Sequence, residues 1–181
     1  MADDDNDDND NDDGLTNTQN ETWSHLTYNY IDSTILRSTN KPINFIANLC
    51  LFPIIETAVW AYQRGQAETS SDAYSRIIQS ANFAKSSRIG NCGEYASLAV
   101  TYLLNQCNNG VYFMQLTQGD HAWVMLSPTY ALDPSSVGNW EDDTKGGDIW
   151  VIDGWKAICA PFDFGSFQTE YGTNFSIYWN N

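Results

Sequence analysis

Ser87-Arg88-Ile89-Gly90-Asn91-Cys92-Gly93-Glu94-Tyr95-Ala96 is the stretch around which the rest of the chain is arranged. A cysteine stands between two nearby glycines, and a helix-forming run follows, Tyr95 through Leu104. The pattern predicts a buried helix whose first residue is Cys92. Backbone N–H groups at a helix start lack intrahelical partners, and the positive end of the dipole favours a thiolate. That is the environment a nucleophilic cysteine needs. Gly93 leaves room for a substrate to approach the sulfur. Glu94 falls in the first turn, where negative charge is favoured. The bland alternative is a small hydrophobic cysteine at the top of a core helix.

A second stretch shifts the balance. Gly119-Asp120-His121-Ala122-Trp123-Val124-Met125-Leu126 reads as a turn and then a strand. Strand alternation puts His121, Trp123 and Met125 on one face, and Ala122, Val124 and Leu126 on the other. Val111–Leu116 reads as the strand before it. Asp148–Asp153 reads as the strand after it, closed by Gly154-Trp155. Between them, residues 127–147 carry Pro128, Pro134, Gly138, Gly146 and Gly147 and read as a long surface insertion beside the site.

Each part has a chemical task. His121 takes the thiol proton and returns it to the leaving group. A carboxylate on the neighbouring strand holds the imidazole in one tautomer. Asp153 is preferred for that task, because its strand-like lead-in can pair beside His121. Asp133 is the main rival, and Asp120 and Asp148 fall on the wrong faces for extended strands. The backbone N–H of Cys92 supplies one oxyanion donor. Asn91, Asn82 and Gln79 remain open as the second. His25, the other histidine, lies in the N-terminal arm.

Composition bounds the rest. The chain has 181 residues, enough for one domain with a real core. Its formal net charge is −15, and eight of its 23 acidic residues lie in the first 13 positions; without those eight the charge is −7. Eight basic residues, scattered along the chain, argue against a nucleic-acid partner. The four cysteines (Cys50, Cys92, Cys107 and Cys159) have no CxxC spacing, so no zinc site or other cofactor is expected, and they read as reduced thiols.

Residues 1–19 form a polar, acidic stretch that is expected to be a disordered tail, with a single domain over residues 20–181. The polyacidic start does not fit a Sec signal peptide and implies, for an exported protein, another route. Glu21–Ser38 is expected to wrap the body as a short helix or irregular arm. Ile43–Gln63 approaches the length of a membrane span. Asn44, Asn48, Pro53, Glu56 and Thr57 interrupt it, so a core helix bent at Pro53 is preferred and the protein is expected to be soluble. Thr69-Ser70-Ser71-Asp72 offers caps for a helix through Phe83, followed by a loop over residues 85–88. The cysteine helix is expected to end near Asn108-Asn109-Gly110. The aromatics after Pro161 are expected to cover a sheet face.

The blocks GNCGEYA, GDHAWVML and WVIDGW resemble those of the papain-like fold in its transglutaminase-like arrangement. More narrowly, they are similar to the nucleophile, histidine and aspartate blocks of cysteine-dependent bacterial effectors and toxins. Those families include protein-glutamine deamidases, transglutaminases and some proteases. The resemblance covers residue 90 to about residue 161. It implies an α+β fold with the nucleophile at a helix N-terminus, packed on an antiparallel sheet. It implies Cys92, His121 and Asp153 as catalytic residues, a protein substrate (in a host, on the effector analogy), and deamidation or crosslinking of glutamine. Proteolysis is the runner-up, and an inactive binding module on the same fold is the third reading. Two features depart from the pattern: Gly154 stands where a proline is usual, and His121 and Asp153 are 32 residues apart. Leu132-Asp133-Pro134 imitates the Asp-Pro pair of transglutaminases proper.

Overall fold

Helix α3 (Cys92–Leu103) lies at the centre of the molecule, with ten of its 12 residues buried. The computed structural model describes residues 13–38, 72–128, 132–139 and 148–181. In chain order the elements are α1 (Asp13–Thr34), β1 (Arg37–Ser38), α2 (Ala73–Ser87), β2 (Ile89–Gly90) and α3. After α3 come β3 (Gly110–Leu116), β4 (Ala122–Ser127), a 3-10 turn (Pro134–Asn139), β5 (Trp150–Asp153), β6 (Ile158–Pro161), α4 (Phe164–Tyr171) and β7 (Phe175–Asn180).

The architecture is mixed α+β. Strands β6-β5-β4-β3-β7 form an open five-stranded sheet, antiparallel throughout. Strand β4 is central and buried along its whole length. Its alternation is as the sequence predicts. Ala122, Val124 and Leu126 join Leu98, Ala99 and Leu103 of α3 in a core that also takes in α1 and α2. Trp123 and Met125 join Phe162, Phe167, Tyr171 and Phe175 in a second core under α4. A sheet covered on both faces excludes water from both sides of its central strand.

Several boundaries differ from expectation. The arm over residues 21–38 is mostly one 22-residue helix, α1, packed on α3, β5 and β6. Its buried positions are Asn20, Ser24, Thr27 and Ile31, a helical stripe that Ile35 continues just past its end and whose first three members are polar. Residues 13–19, within the stretch expected to lack order, belong to this helix; residues 1–12 lie outside the described residues. Helix α2 is capped by Asp72, whose side chain accepts from Ser75 N, and it runs on to Ser87 instead of looping from Lys85. It closes on Arg88 in the left-handed region (φ 59°). Helix α3 stops at Leu103, before the Asn-Asn-Gly cluster. The aromatic tail covers a face through α4, as expected, but it also adds β7 as an edge strand beside β3. The apolar segment at residues 43–63 lies outside the described residues. No helix among the described residues is long and apolar enough to cross a membrane.

Candidate active site

Cys92 opens α3. Asn91, in an extended conformation, is the N-cap: its Oδ1 accepts from Gly93 N at 3.0 Å, and Glu94 Oε2 accepts from Asn91 N at 2.9 Å. This reciprocal capping box satisfies two donors and fixes the first turn. Both side chains are buried. Ser80 of α2 lies 3.5 Å from the other Glu94 oxygen and ties the box to the neighbouring helix. Gly90 is required beneath it, because a Cβ there would come within 2.8 Å of Glu94 Cβ and 2.9 Å of Ile35. Helix geometry leaves the N–H of Cys92 itself without an intrahelical acceptor.

His121 and Asp153 meet because β4 and β5 are paired. The register Val124↔Ile152, continued one step, sets Asp153 beside Trp123, two residues along the same face from His121. His121 Nε2 lies 2.6 Å from Asp153 Oδ2. The Asp153 side chain is 1% exposed and that of His121 is 9% exposed. Oδ1 of Asp153 accepts from Trp155 N at 3.1 Å and Lys156 N at 3.0 Å, so the turn after β5 grips the carboxylate. Tyr171 of α4 donates its hydroxyl to Oδ2 at 3.0 Å. Burial, and then the charge of Asp153, pushes the Tyr171 phenol well above its ordinary value, so it remains a donor. Lys156 lies over the Tyr171 ring at 4.7 Å and pairs with Glu170 at 2.5 Å, which holds α4 to this turn.

Cys92 comes from the helical layer to meet this pair at the end of the sheet. Its sulfur lies 3.5 Å from the carbonyl oxygen of Asp120, the residue before His121. The thiol and the His121 ring line the same cavity, and the charge of the thiol acts on the ring. Burial disfavours the imidazolium, but the hydrogen bond to Asp153, with the charges of Asp153 and Cys92, outweighs it and pushes His121 up to about 9. The rings of Trp155, Trp123 and Tyr171 surround the imidazole at centroid distances of 5.3, 5.9 and 5.9 Å.

Cys92 and His121 line a cavity of about 470 Å³. Its walls include Asn91, Gly93, Glu94, Gln115, Asp120 and Arg76. Of the three side chains weighed as oxyanion donors, Asn82 and Gln79 are exposed on α2 and do not line it. Asn91 does line it, with Oδ1 committed to the cap and Nδ2 buried without an acceptor.

Asp133 is exposed, and its carboxylate caps the 3-10 turn by accepting from Ser135 N and Oγ. The carbonyl of Asp148 accepts from Asn20, and Asp120 is exposed. His25 lies 3.7 Å from Cys159 and edge-on to Trp150, and it does not line the cavity. Burial raises the thiols of Cys159, to about 11, and of Cys107. Cys50 lies outside the described residues. No group of three or more His, Cys, Asp or Glu among the described residues could hold a metal ion.

Two contributors are not anticipated by the sequence reading. The Asn91-x-x-Glu94 spacing is a capping-box signature and was there to be read. Tyr171 carries no local signal, since only the packing of α4 brings it to Asp153. The arrangement is a buried cysteine beside a buried histidine–carboxylate pair in a cavity, which suits a cysteine-dependent enzyme. The chain matches no protein-family model, no curated protein and no solved structure.

Proposed function

We propose that the protein is a cysteine-dependent acyl-transfer enzyme acting on glutamine side chains of proteins, with Cys92, His121 and Asp153 as its triad. The observation that supports this reading is that His121, bonded to Asp153, lines the same cavity as Cys92. A histidine protonated at neutral pH is the partner a thiolate needs.

In this mechanism the Cys92 thiolate attacks the carboxamide carbon. The oxyanion that forms is met by the N–H of Cys92. Collapse breaks the C–N bond, and His121 gives its proton to the departing ammonia. The thioester is then attacked by water, whose proton passes to His121; the C–S bond breaks, leaving a glutamyl carboxyl group and restoring the thiolate beside protonated His121. A lysine amine in place of water leaves an isopeptide crosslink. Asp153 keeps the imidazole oriented throughout. The choice of glutamine follows the sequence resemblance, and with it the setting of a bacterial effector or toxin.

The test is intact-protein mass spectrometry of a cell lysate treated with the full-length chain or with Cys92→Ala. Deamidated or crosslinked proteins that appear only with the wild type support the proposal. Cleaved products move the assignment to a protease on the same triad. No Cys92-dependent product of any kind removes the enzyme assignment.

A further inference from the structure

Arg76 stands in the cavity wall, and among the described residues no carboxylate forms a close ion pair with it, although Asp72 one turn away feels its charge. Among the described lining residues it is the one permanent cation. Its guanidinium lies over the Tyr178 ring of β7 at 5.4 Å, a cation–π contact that helps to position it. Its Nε is buried and meets no acceptor. The carboxylate one helical turn before it, Asp72, is committed to Ser75, accepting from N at 2.8 Å and Oγ at 2.9 Å. No ion pair joins Arg76 to a carboxylate among the described residues. The cavity's own carboxylate on α3, Glu94, is held by its capping box.

The position of Arg76 relative to the sulfur is set by the helices. Ser80 touches Glu94, which stands two residues after Cys92. Arg76 is one turn before Ser80 on α2, about 6 Å along the axis. Its guanidinium therefore stands off from the reacting centre, beside the path of whatever segment presents its amide to Cys92.

We propose that Arg76 is the specificity-determining residue of this site and that it reads a carboxylate in the substrate segment flanking the reacting amide. This rests on the cavity being the substrate site of the acyl-transfer reaction. A planar guanidinium, set over an aromatic ring and without a close ion-pair partner among the described residues, is suited to take a carboxylate through paired N–H donors. In a chain of net charge −15, the local cation also makes an acidic segment acceptable where the wider surface would repel it.

The experiment measures binding in a full-length Cys92→Ala background, so it does not depend on turnover. Short acetylated peptides with one central glutamine are titrated calorimetrically in three forms: with flanking glutamates and an amidated end, with neutral flanks and a free C-terminal carboxylate, and with neutral flanks and an amidated end. One carboxylate form is expected to bind about tenfold tighter than the neutral form. Which form does so tells whether the carboxylate is a side chain or a chain terminus. Adding Arg76→Gln is expected to abolish the difference. Equal affinity of all three peptides, or a preference that survives Arg76→Gln, overturns the proposal. If Arg76→Gln does not fold, Arg76→Lys carries the same comparison: a weakened preference supports the proposal, and an unchanged one overturns it. Failure of the acyl-transfer reading would instead appear as a wild type that leaves every lysate protein unmodified.

Discussion

Tyr171 donates its hydroxyl to the same oxygen of Asp153 that His121 Nε2 meets, at 3.0 and 2.6 Å respectively. Asp153 thus has both oxygens engaged by donors from three elements, and its orientation is set before any substrate arrives. Tyr171→Phe removes one donor while keeping the ring packed. It is expected to lower turnover about tenfold and stability by about 1 kcal/mol. A shift in the His121 titration, followed by NMR, separates this effect on the pair from simple loss of packing; an unmoved titration would deny Tyr171 a positioning role.

Asp153 and Asp133 make opposite predictions. Asp153→Ala removes the orienter of His121 and is expected to cut turnover about a thousandfold. It also orphans Trp155 N, Lys156 N and the Tyr171 hydroxyl, so a stability loss of about 2 kcal/mol is expected with it. Asp133→Ala removes only an exposed cap. Its expected effect on stability is small, with little change in turnover. The reverse ranking on one substrate would move the carboxylate role to Asp133.

The thiols are expected to separate under iodoacetamide. Burial raises Cys107 and Cys159, and neither has a histidine–carboxylate pair behind it. Cys92 faces the cavity and His121. Peptide mapping after brief labelling at mildly acidic pH is expected to find Cys92 modified ahead of those two. Equal modification of the three would count against an activated Cys92.

The folded state favours protonated His121, raised from 6.5 to about 9. Its stabilising contribution is therefore fully present below pH 6.5 and is lost as pH rises through about 9. The melting temperature is expected to fall across that window, and His121→Gln is expected to flatten the fall. A wild-type curve that rises over the same window would contradict the raised value.

Gly154 is the departure from the proline usual in the resembling blocks, and its surroundings explain why no side chain fits. A Cβ there would lie 2.5 Å from the Tyr95 ring and 3.0 Å from Ile31. Gly154→Ala is expected to cost about 1–3 kcal/mol by forcing α1 or α3 away from the turn. Denaturant melts measure it, and a neutral result would show that Tyr95 yields freely.

The helix–strand–strand frame of the site was legible because its period is clean. Cys92–Leu103 reads as a helix, and Ala122–Leu126 alternates between two cores. The long helix α1 was not legible, because its inward stripe begins with Asn20, Ser24 and Thr27, residues that composition assigns to solvent. Asn20 is buried because its amide donates to the carbonyl of Asp148, a partner 128 positions away. The split of the C-terminal aromatics into α4 and an edge strand was equally hidden. Phe, Tyr and Trp in that run mark burial without marking a period. Strand quality and the resemblance of the WVIDGW block both favour Asp153 over Asp133, and the sheet register brings the preferred residue to His121.

Strand β4 lies in the middle of five, with side chains packed on both faces. Amides in such a strand exchange with solvent only through the largest openings of the molecule. His121 immediately precedes that strand and Asp153 ends its neighbour, so the pair stands at the boundary between the slowly exchanging sheet and the exposed turn before it. Hydrogen exchange is therefore expected to be slow through Val124 and Leu126 and faster at His121.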